Sequence, residues 1–216
     1  VPAEMLNKEK YDDDEESWYY ADGSGNLYAG EFKTIKGKKY AFRNDGRMLT
    51  GLKFIKEGDE DFADVKADDD DSRPFDNEDD FFDNAIEFYE PNGYKCYYFG
   101  GGDDGAMKTG SQAIKDDNGD TYKFYFGTKT GNKGQGITGN QGNKLYYYGM
   151  LIQADDYKYQ LASIEDAAGK THTFIINANG SIQHSKNTEY KEDGDILIDA
   201  KKNGVVFRTK NTDAKT

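Results

Sequence analysis

The chain has 216 residues, of which 35% are hydrophobic and 14% aromatic, with 17 Tyr, 13 Phe, 25 Gly and 3 Pro. That composition argues against a thick aliphatic core and against helix-rich or α/β enzymes; it suits thin layers closed by aromatic rings between glycine turns. The net charge of −13 is local: Lys56 to Glu90 holds 16 Asp or Glu against 3 Lys or Arg, and the remainder holds 25 of each, so no basic patch exists to recruit nucleic acid.

Residues 1–17 are polar and acidic with no sustained period, and read as a linker. A first hairpin is expected over Trp18 to Gly30, where Trp18-Tyr19-Tyr20 and Asn26-Leu27-Tyr28 flank a glycine-rich turn, with Glu31 to Ile35 as connector. A second follows over Lys36 to Leu52. There Tyr40 and Phe42 are expected on one strand face with Ala41 on the other, and Asn44-Asp45-Gly46 makes the turn to a return strand closed by Gly51. Together these occupy 18–55.

The segment 56–93 breaks the pattern. Lys56 to Asp80 reads as a solvated acidic loop. Phe81, Phe82, Ala85, Ile86 and Tyr89 then recur at helical spacing, which predicts a short amphipathic helix starting near Asp79 or Asp80 and ended by Pro91-Asn92-Gly93.

The hairpin grammar resumes over 94–154. Tyr97-Tyr98-Phe99 precedes Met107-Lys108-Thr109-Gly110, which nearly repeats Met48-Leu49-Thr50-Gly51. Asp116 to Asp120 is a turn before Tyr122 to Phe126, and Leu145 to Tyr148 begins a further copy. The segment 155–216 reads as degenerate repeats or a cap. It holds a hairpin over Thr171 to His184 and a last strand pair, Ile196 to Ile198 with Val205 to Phe207, about Lys202-Asn203-Gly204.

The run Gly37-Lys38-Lys39-Tyr40-Ala41-Phe42, with Asn44-Asp45-Gly46-Arg47-Met48 and Thr50-Gly51, closely resembles the cell-wall-binding repeat. This is the choline-binding and glucan-binding repeat of secreted Gram-positive proteins, related to the repeats of clostridial toxin tails. The resemblance covers Trp18 to Leu52 and Cys96 to roughly Ala154. It implies an all-β, solenoid-like array of stacked β-hairpins, here with one acidic insertion. It also implies ligand-binding aromatics between neighbouring hairpins and a secreted or cell-surface protein that holds wall polymer or polysaccharide. One departure bears on the ligand. The choline-binding version carries Trp after the closing glycine, whereas here that place is taken by Glu31, Leu52, Ser111 and Asn140. The missing wall of the cation-π box shifts the expectation from choline toward a glucan-type sugar, on which tyrosine faces stack well.

The candidate ligand-binding residues are Trp18, Tyr19, Tyr20, Tyr40, Tyr97, Tyr98, Tyr125, Tyr146 and Tyr147. Of these, Tyr19, Tyr97, Tyr125 and Tyr147 are expected on the ligand-facing side of their strands. The competing reading is that every ring merely fills the thin core and the array is a structural spacer or host-facing surface module. For the insertion, a solubilising loop competes with a calcium site built from Asp68, Asp70 and Glu78, although no EF-hand spacing is present. A single cysteine, Cys96, rules out an intramolecular disulfide and a cysteine-based zinc site. His172 and His184 have no metal-ligand spacing, and neither a nucleophile elbow nor a phosphate loop is visible. No cofactor is expected. No apolar run is long enough to span a membrane, and no export signal is present in this sequence, whose Val1-Pro2-Ala3 start reads as that of a mature or trimmed chain. A non-catalytic wall- or polysaccharide-binding module is the expectation. A polysaccharide-cleaving enzyme is the least favoured alternative, since sequence cannot pick two carboxylates from 41 acids.

Overall fold

A computed structural model of the protein describes residues 17–66, 75–185, 190–192, 195–198 and 208–210. The chain is mostly β, in several small antiparallel sheets, none closed, with one short helix among the described residues. It divides into two compact units. The first takes in the chain to Tyr122 together with Phe126–Gly136, and the second Lys123–Tyr125 and the chain from Ile137.

The first unit starts from a five-residue turn that recurs along the chain. At Asp22–Asn26 the carboxylate accepts the N–H groups of Ser24 and Asn26 (2.8 and 2.9 Å), while Gly25 N–H returns to the Asp22 carbonyl. An Asp side chain that mimics backbone acceptors in this way stabilises a turn locally. The turn Asp116–Asp120 repeats these bonds, and Arg43–Arg47 keeps the backbone pair but takes its carboxylate bond from Asp45.

Regular ladders lie elsewhere than expected. Strand β1 (Phe32–Ile35) pairs with β2 (Lys38–Ala41) in four-residue register, Phe32 opposite Ala41 and Ile35 opposite Lys38. Lys36 and Gly37 between them both have positive φ (50° and 81°), which matches the twist of a two-residue hairpin. The segments read as connectors are therefore strands. Beyond the Asn44-Asp45-Gly46 turn the return segment makes one bridge, Phe42 with Met48, instead of a strand. The reason is that its amide is used by the neighbouring repeat: Met48 N–H donates to the Trp18 carbonyl at 2.8 Å. Because β2 ends at Ala41, strict alternation fails there, and Ala41 and Phe42 are both fully buried.

The same bond recurs twice. Met107 N–H donates to Lys39 O (2.8 Å) and Gly136 N–H to Cys96 O (2.7 Å), so each return segment hooks back onto the preceding repeat. Side chains repeat the step: Leu27 lies against Gly46, Met48 against Gly105 and Met107 against Gly134. A Cβ on Gly105, whose φ is +63°, would stand 2.5 Å from the Met48 sulfur. Glycine is required there by both space and backbone. Within repeats, Tyr28 N–H to Tyr20 O, Leu49 N–H to Ala41 O, Lys108 N–H to Tyr98 O and Ile137 N–H to Tyr125 O set Tyr20, Ala41, Tyr98 and Tyr125 as equivalents.

The acidic insertion occupies a turn. Strand β3 (Leu52–Glu57) pairs with β5 (Lys95–Tyr98) as β1 pairs with β2, Leu52 opposite Tyr98 and Ile55 opposite Lys95. The chain between them thus replaces the two-residue Lys36-Gly37 turn. It is not a bare loop from Lys56 onward, since β4 (Phe62–Lys66) pairs with the other edge of β3. Burial explains this strand: Phe62 is 4% exposed, T-shaped against the Phe32 ring at 4.9 Å, and its N–H donates to Gly30 O. The expected helix is present as α1 (Glu78–Asn84), capped by Asn77 Oδ1, which accepts from Asp80 N–H. It continues as a π-helical turn, Ala85–Tyr89. Phe81 and Ala85 are buried, but Ile86 is 55% exposed, because the wider π turn rotates it off the inner face. The core about this sheet holds Ala41, Leu49, Ile55, Phe62, Tyr97 and Phe99. Strand β6 (Gly110–Lys115) then leads through the Asp116 turn to β7 (Thr121–Phe126).

In the second unit β8 (Gly139–Gln141), β9 (Lys144–Tyr147) and β10 (Met150–Leu151) form adjacent strands, and Met150 lies opposite Phe124. Strand β11 (Tyr159–Glu165), not read from the sequence, pairs with β12 (Thr171–Asn177) over seven residues. The expected hairpin from β12 to β13 (Ile182–Gln183) is present, with Ile176 opposite Ile182. The five-residue turn persists at Asp166–Lys170 and Asn177–Ser181. Strands β14 (Tyr190–Glu192), β15 (Asp195–Ile198) and β16 (Arg208–Lys210) complete it. The expected partner of Ile196 to Ile198, Val205 to Phe207, lies outside the described residues, as does the lead-in 1–16.

Two outcomes follow from these turns and steps. Gly105→Ala should lower stability to urea by about 2 kcal/mol, through left-handed strain and the Met48 overlap. Gly101→Ala, whose Cβ meets nothing within 4 Å, should stay within about 0.5 kcal/mol. Asp166 is held down to about 2, first by His172, whose Nε2 lies 2.8 Å from its carboxylate, then by the Lys170 and Ala168 amides. Its folded value lies below its unfolded one, so the stabilisation is complete above about pH 4 and is lost as pH falls toward 2. Carboxyl NMR should show that midpoint, and His172→Ala should raise it toward the ordinary Asp range.

Candidate functional site

The hydrogen-bond register sorts the aromatics into four equivalent positions along the repeats. The first holds Trp18, Lys39, Cys96 and Lys123; the second Tyr19, Tyr40, Tyr97 and Phe124; the third Tyr20, Ala41, Tyr98 and Tyr125; the fourth Ala21, Phe42, Phe99 and Phe126. The fourth position is core, with Phe42, Phe99 and Phe126 fully buried. The second is core as well: Tyr19, Tyr97 and Phe124 are at most 2% exposed, and only Tyr40 is half-buried. The third is mixed, with Tyr20 exposed, Tyr98 and Tyr125 half-buried and Ala41 fully buried. Trp18, at 47%, is the most open ring of the hairpins.

Tyr19, Tyr97 and Tyr147 are thus turned inward, opposite to the side expected from alternation. Tyr97 shows why. Its ring lies 5.0 Å from Phe32 and its hydroxyl 3.5 Å from Glu57 Oε1, so β3 and the core fix it. Burial pushes the Tyr97 phenol well above its usual range, with the Glu57 carboxylate adding to it. Tyr146 and Tyr147 are buried in the second unit, Tyr146 against Tyr125 at 5.8 Å and Tyr147 against Tyr148 at 5.9 Å. The open candidates are therefore Trp18 and Tyr20, with Tyr40, Tyr98 and Tyr125 partly accessible.

Two ring faces already carry a cation. Lys33 Nζ lies 4.5 Å from the Tyr28 centroid and Lys39 Nζ 4.4 Å from that of Phe32. The positions after the closing glycines offer no ring, and Leu52 there is buried. At those two rings a quaternary ammonium would compete with the lysine. The open rings are those of Trp18 and Tyr20.

Of the calcium candidates, Asp68 and Asp70 lie outside the described residues, and Glu78 stands in the first turn of α1. Among the described residues no three His, Cys, Asp or Glu are grouped so as to hold a metal. Cys96 is buried, which pushes its thiol up. His172 belongs to the Asp166 turn. The sequence reading missed three exposed apolar rings or side chains, Phe88, Tyr157 and the outward-turned Ile86. None lies in a repeat motif, and only the π turn reveals the first and last.

No known family model matches the sequence, and no curated protein does. Among solved structures the chain is similar to choline-binding protein F from Streptococcus pneumoniae, 21% identical over 78% of this chain and 45% of that one, with a TM-score of 0.26. It is similar to CbpJ from Streptococcus pneumoniae TIGR4, 17% identical over 89% and 70%, TM-score 0.25. It is also similar to the modular Cpl-1 endolysin of phage Cp-1, complexed with a peptidoglycan analogue, 17% identical over 85% and 43%, TM-score 0.28. The chain spans less than half the length of the first and third of these. Such scores lie far below those of chains sharing one overall arrangement, so the repeat register of this chain is what bears on its function.

The insertion offers a check on these surroundings. Burial raises Tyr89 to about 12, and Tyr94 to about 12 with help from its hydrogen bond to Asp64 Oδ2 at 2.5 Å. Both folded values exceed the unfolded value, so their contribution is complete below about pH 10 and is lost as pH rises toward 12. Spectrophotometric titration should show a late tyrosinate phase near 12, reduced by one residue each in Tyr89→Phe and Tyr94→Phe.

Proposed function

We propose that this chain is a non-catalytic binding module of an exported bacterial protein, and that it holds a cell-wall polymer or polysaccharide. The observation that carries the reading is the register: one hydrogen-bonded step recurs at Met48, Met107 and Gly136, and the third position holds an exposed Tyr20 and half-buried Tyr98 and Tyr125, with a buried Ala41 in the second repeat. Rings at a fixed step can stack on a polymer with a repeating unit, in the manner of a solenoid of hairpins. The resemblance of the Lys36 to Leu52 unit to wall-binding repeats supports the same reading, as do the names of the pneumococcal proteins to which the chain is similar. Trp18 and Tyr20 are the main contacts, with Tyr40, Tyr98 and Tyr125 adding weaker ones. A sugar is favoured over choline because the places after the closing glycines hold Glu31, Leu52, Ser111 and Asn140, none of which can wall a cation-π box.

The spacer reading has an observation of its own, the burial of Tyr19, Tyr97, Tyr146 and Tyr147. The two are separated by pull-down on insoluble glucan and on purified Gram-positive wall. Retention that survives excess choline is expected. Trp18→Ala and Tyr20→Ala should each weaken it several-fold, and together with Tyr98→Ala on the order of 100-fold, because linked weak sites multiply. Release by choline would reverse the ligand preference, and no retention on either polymer would favour the spacer. Trp18, the only tryptophan, should also shift its fluorescence to the blue as oligosaccharide covers it.

A further inference from the structure

The even charge balance outside the insertion conceals one local excess: Phe32 to Arg43 holds five Lys or Arg and no Asp or Glu. Most of that run is the β1–β2 hairpin, whose register sorts its side chains onto two faces. Phe32 and Ala41 stand opposite each other on the inner face, with Ala41 fully buried and Phe32 packed on Phe62 and Tyr97. The pairs Lys33 with Tyr40 and Ile35 with Lys38 therefore share the outer face, which is why Tyr40 alone in the second position stays partly open. Tyr40 makes no ring contact among the described residues, whereas Tyr97 meets Phe32 and Phe99. Lys33 is its direct neighbour across the pair, and Lys38 stands two residues before it on its own strand, so both are near enough to serve a ligand lying on the ring.

The charges on this face are uncancelled. Lys33 is positioned by the Tyr28 ring, whose centroid lies 4.5 Å from Nζ, a contact that leaves the cation a cation. Among the described residues Lys33, Lys36 and Lys38 have no ion-pair partner, in a chain of 41 acids and 28 bases. Asp104 lies within electrostatic reach of Lys38, but its carboxylate is already paired with Lys108. An open aromatic face flanked by two cations is the complement of a flat sugar ring that bears an anion.

We propose that the outer face of β1–β2 binds acidic polysaccharide, a sugar ring stacking on Tyr40 while its carboxylate pairs with Lys33 and Lys38. This rests on the polymer-binding reading above and adds to it a preference for sugars that carry charge. A polyol phosphate has no ring to lay on Tyr40, and the acids of the chain oppose the dense charge of a nucleic acid.

The probe is oligogalacturonate, titrated into the full chain and followed by NMR, beside its neutral methyl ester, which keeps the rings and removes the charge. The acid should bind roughly fivefold or more tighter than the ester at low salt, as two partly exposed ion pairs allow. That preference should fade at about 1 M salt. Lys33→Gln/Lys38→Gln should abolish the preference and leave the ester unaffected, whereas Lys33→Arg/Lys38→Arg should keep it. Tyr40→Ala should weaken acid and ester alike. Lys95→Gln/Lys115→Gln, an equal loss of charge at two exposed sites elsewhere, should change neither, with thermal melting unchanged in every lysine variant. Equal binding of acid and ester with glucan retained would overturn the proposal and leave the binding module standing. No binding to acid, ester, glucan or wall would overturn both. A thymidine oligonucleotide bound as tightly as the acid, or the same loss in the Lys95/Lys115 pair, would reduce the face to undirected charge attraction and overturn the proposal as well.

Discussion

The backbone bond from a return segment to the strand before it is the constraint on which the first unit depends. It takes one amide per repeat, Met48 to Trp18, Met107 to Lys39 and Gly136 to Cys96, at nearly constant length. A hairpin of two short strands is at best marginal alone in water. Here the second arm of each repeat keeps only a bridge or a bond to its own first arm and gives another amide to its neighbour. The side chain at the same residue then needs a hollow, which Gly105 and Gly134 supply for Met48 and Met107. The step between repeats therefore adds to the stability of each small hairpin in this unit.

That trade explains what the sequence disclosed and what it hid. Turn residues were legible, because Asp22, Asn44 to Gly46, Asp116 and Asn177 act through bonds within five residues. The helix was legible too, through the spacing of Phe81 and Ala85 and the acids at its start. Strand partners were not. Glu31 to Ile35 looks like a connector, since its pairing depends on the positive φ of Lys36, a residue type that rarely adopts it. Strand β11 pairs with β12 across the Asp166–Lys170 turn, which repeats the five-residue turn bonds but is flanked by none of the paired aromatics that mark the other repeats. Long-range pairing leaves little local trace, and this chain uses it wherever an insertion or an irregular repeat breaks the grammar.

The site was half legible for the same reason. Residue type picked Trp18, Tyr20 and Tyr98, whereas of the outward set Tyr19, Tyr97, Tyr125 and Tyr147 only Tyr125 stays partly accessible and the other three are turned in. The face a ring presents is fixed by which neighbour takes the next hydrogen bond, and that lies in another repeat. In Tyr97 the inward choice depends on Phe32 and on Glu57, more than 35 residues away on either measure of ordinary loop length.

Burial also limits what a ligand can be offered. A fully buried aromatic gives up a stabilisation of roughly 2 kcal/mol or more if it swings out to stack on a sugar, which cancels most of what one stacking contact returns. The second- and fourth-position rings, the half-buried Tyr40 apart, are therefore committed to the fold. The rings left open are Trp18 and Tyr20 in the first repeat, with Tyr98 and Tyr125 half-buried in later ones, while the second repeat has the fully buried Ala41 in that place. Under the function proposed above, rings of this graded exposure suit several weak contacts with a polymer better than one strong contact with a small molecule.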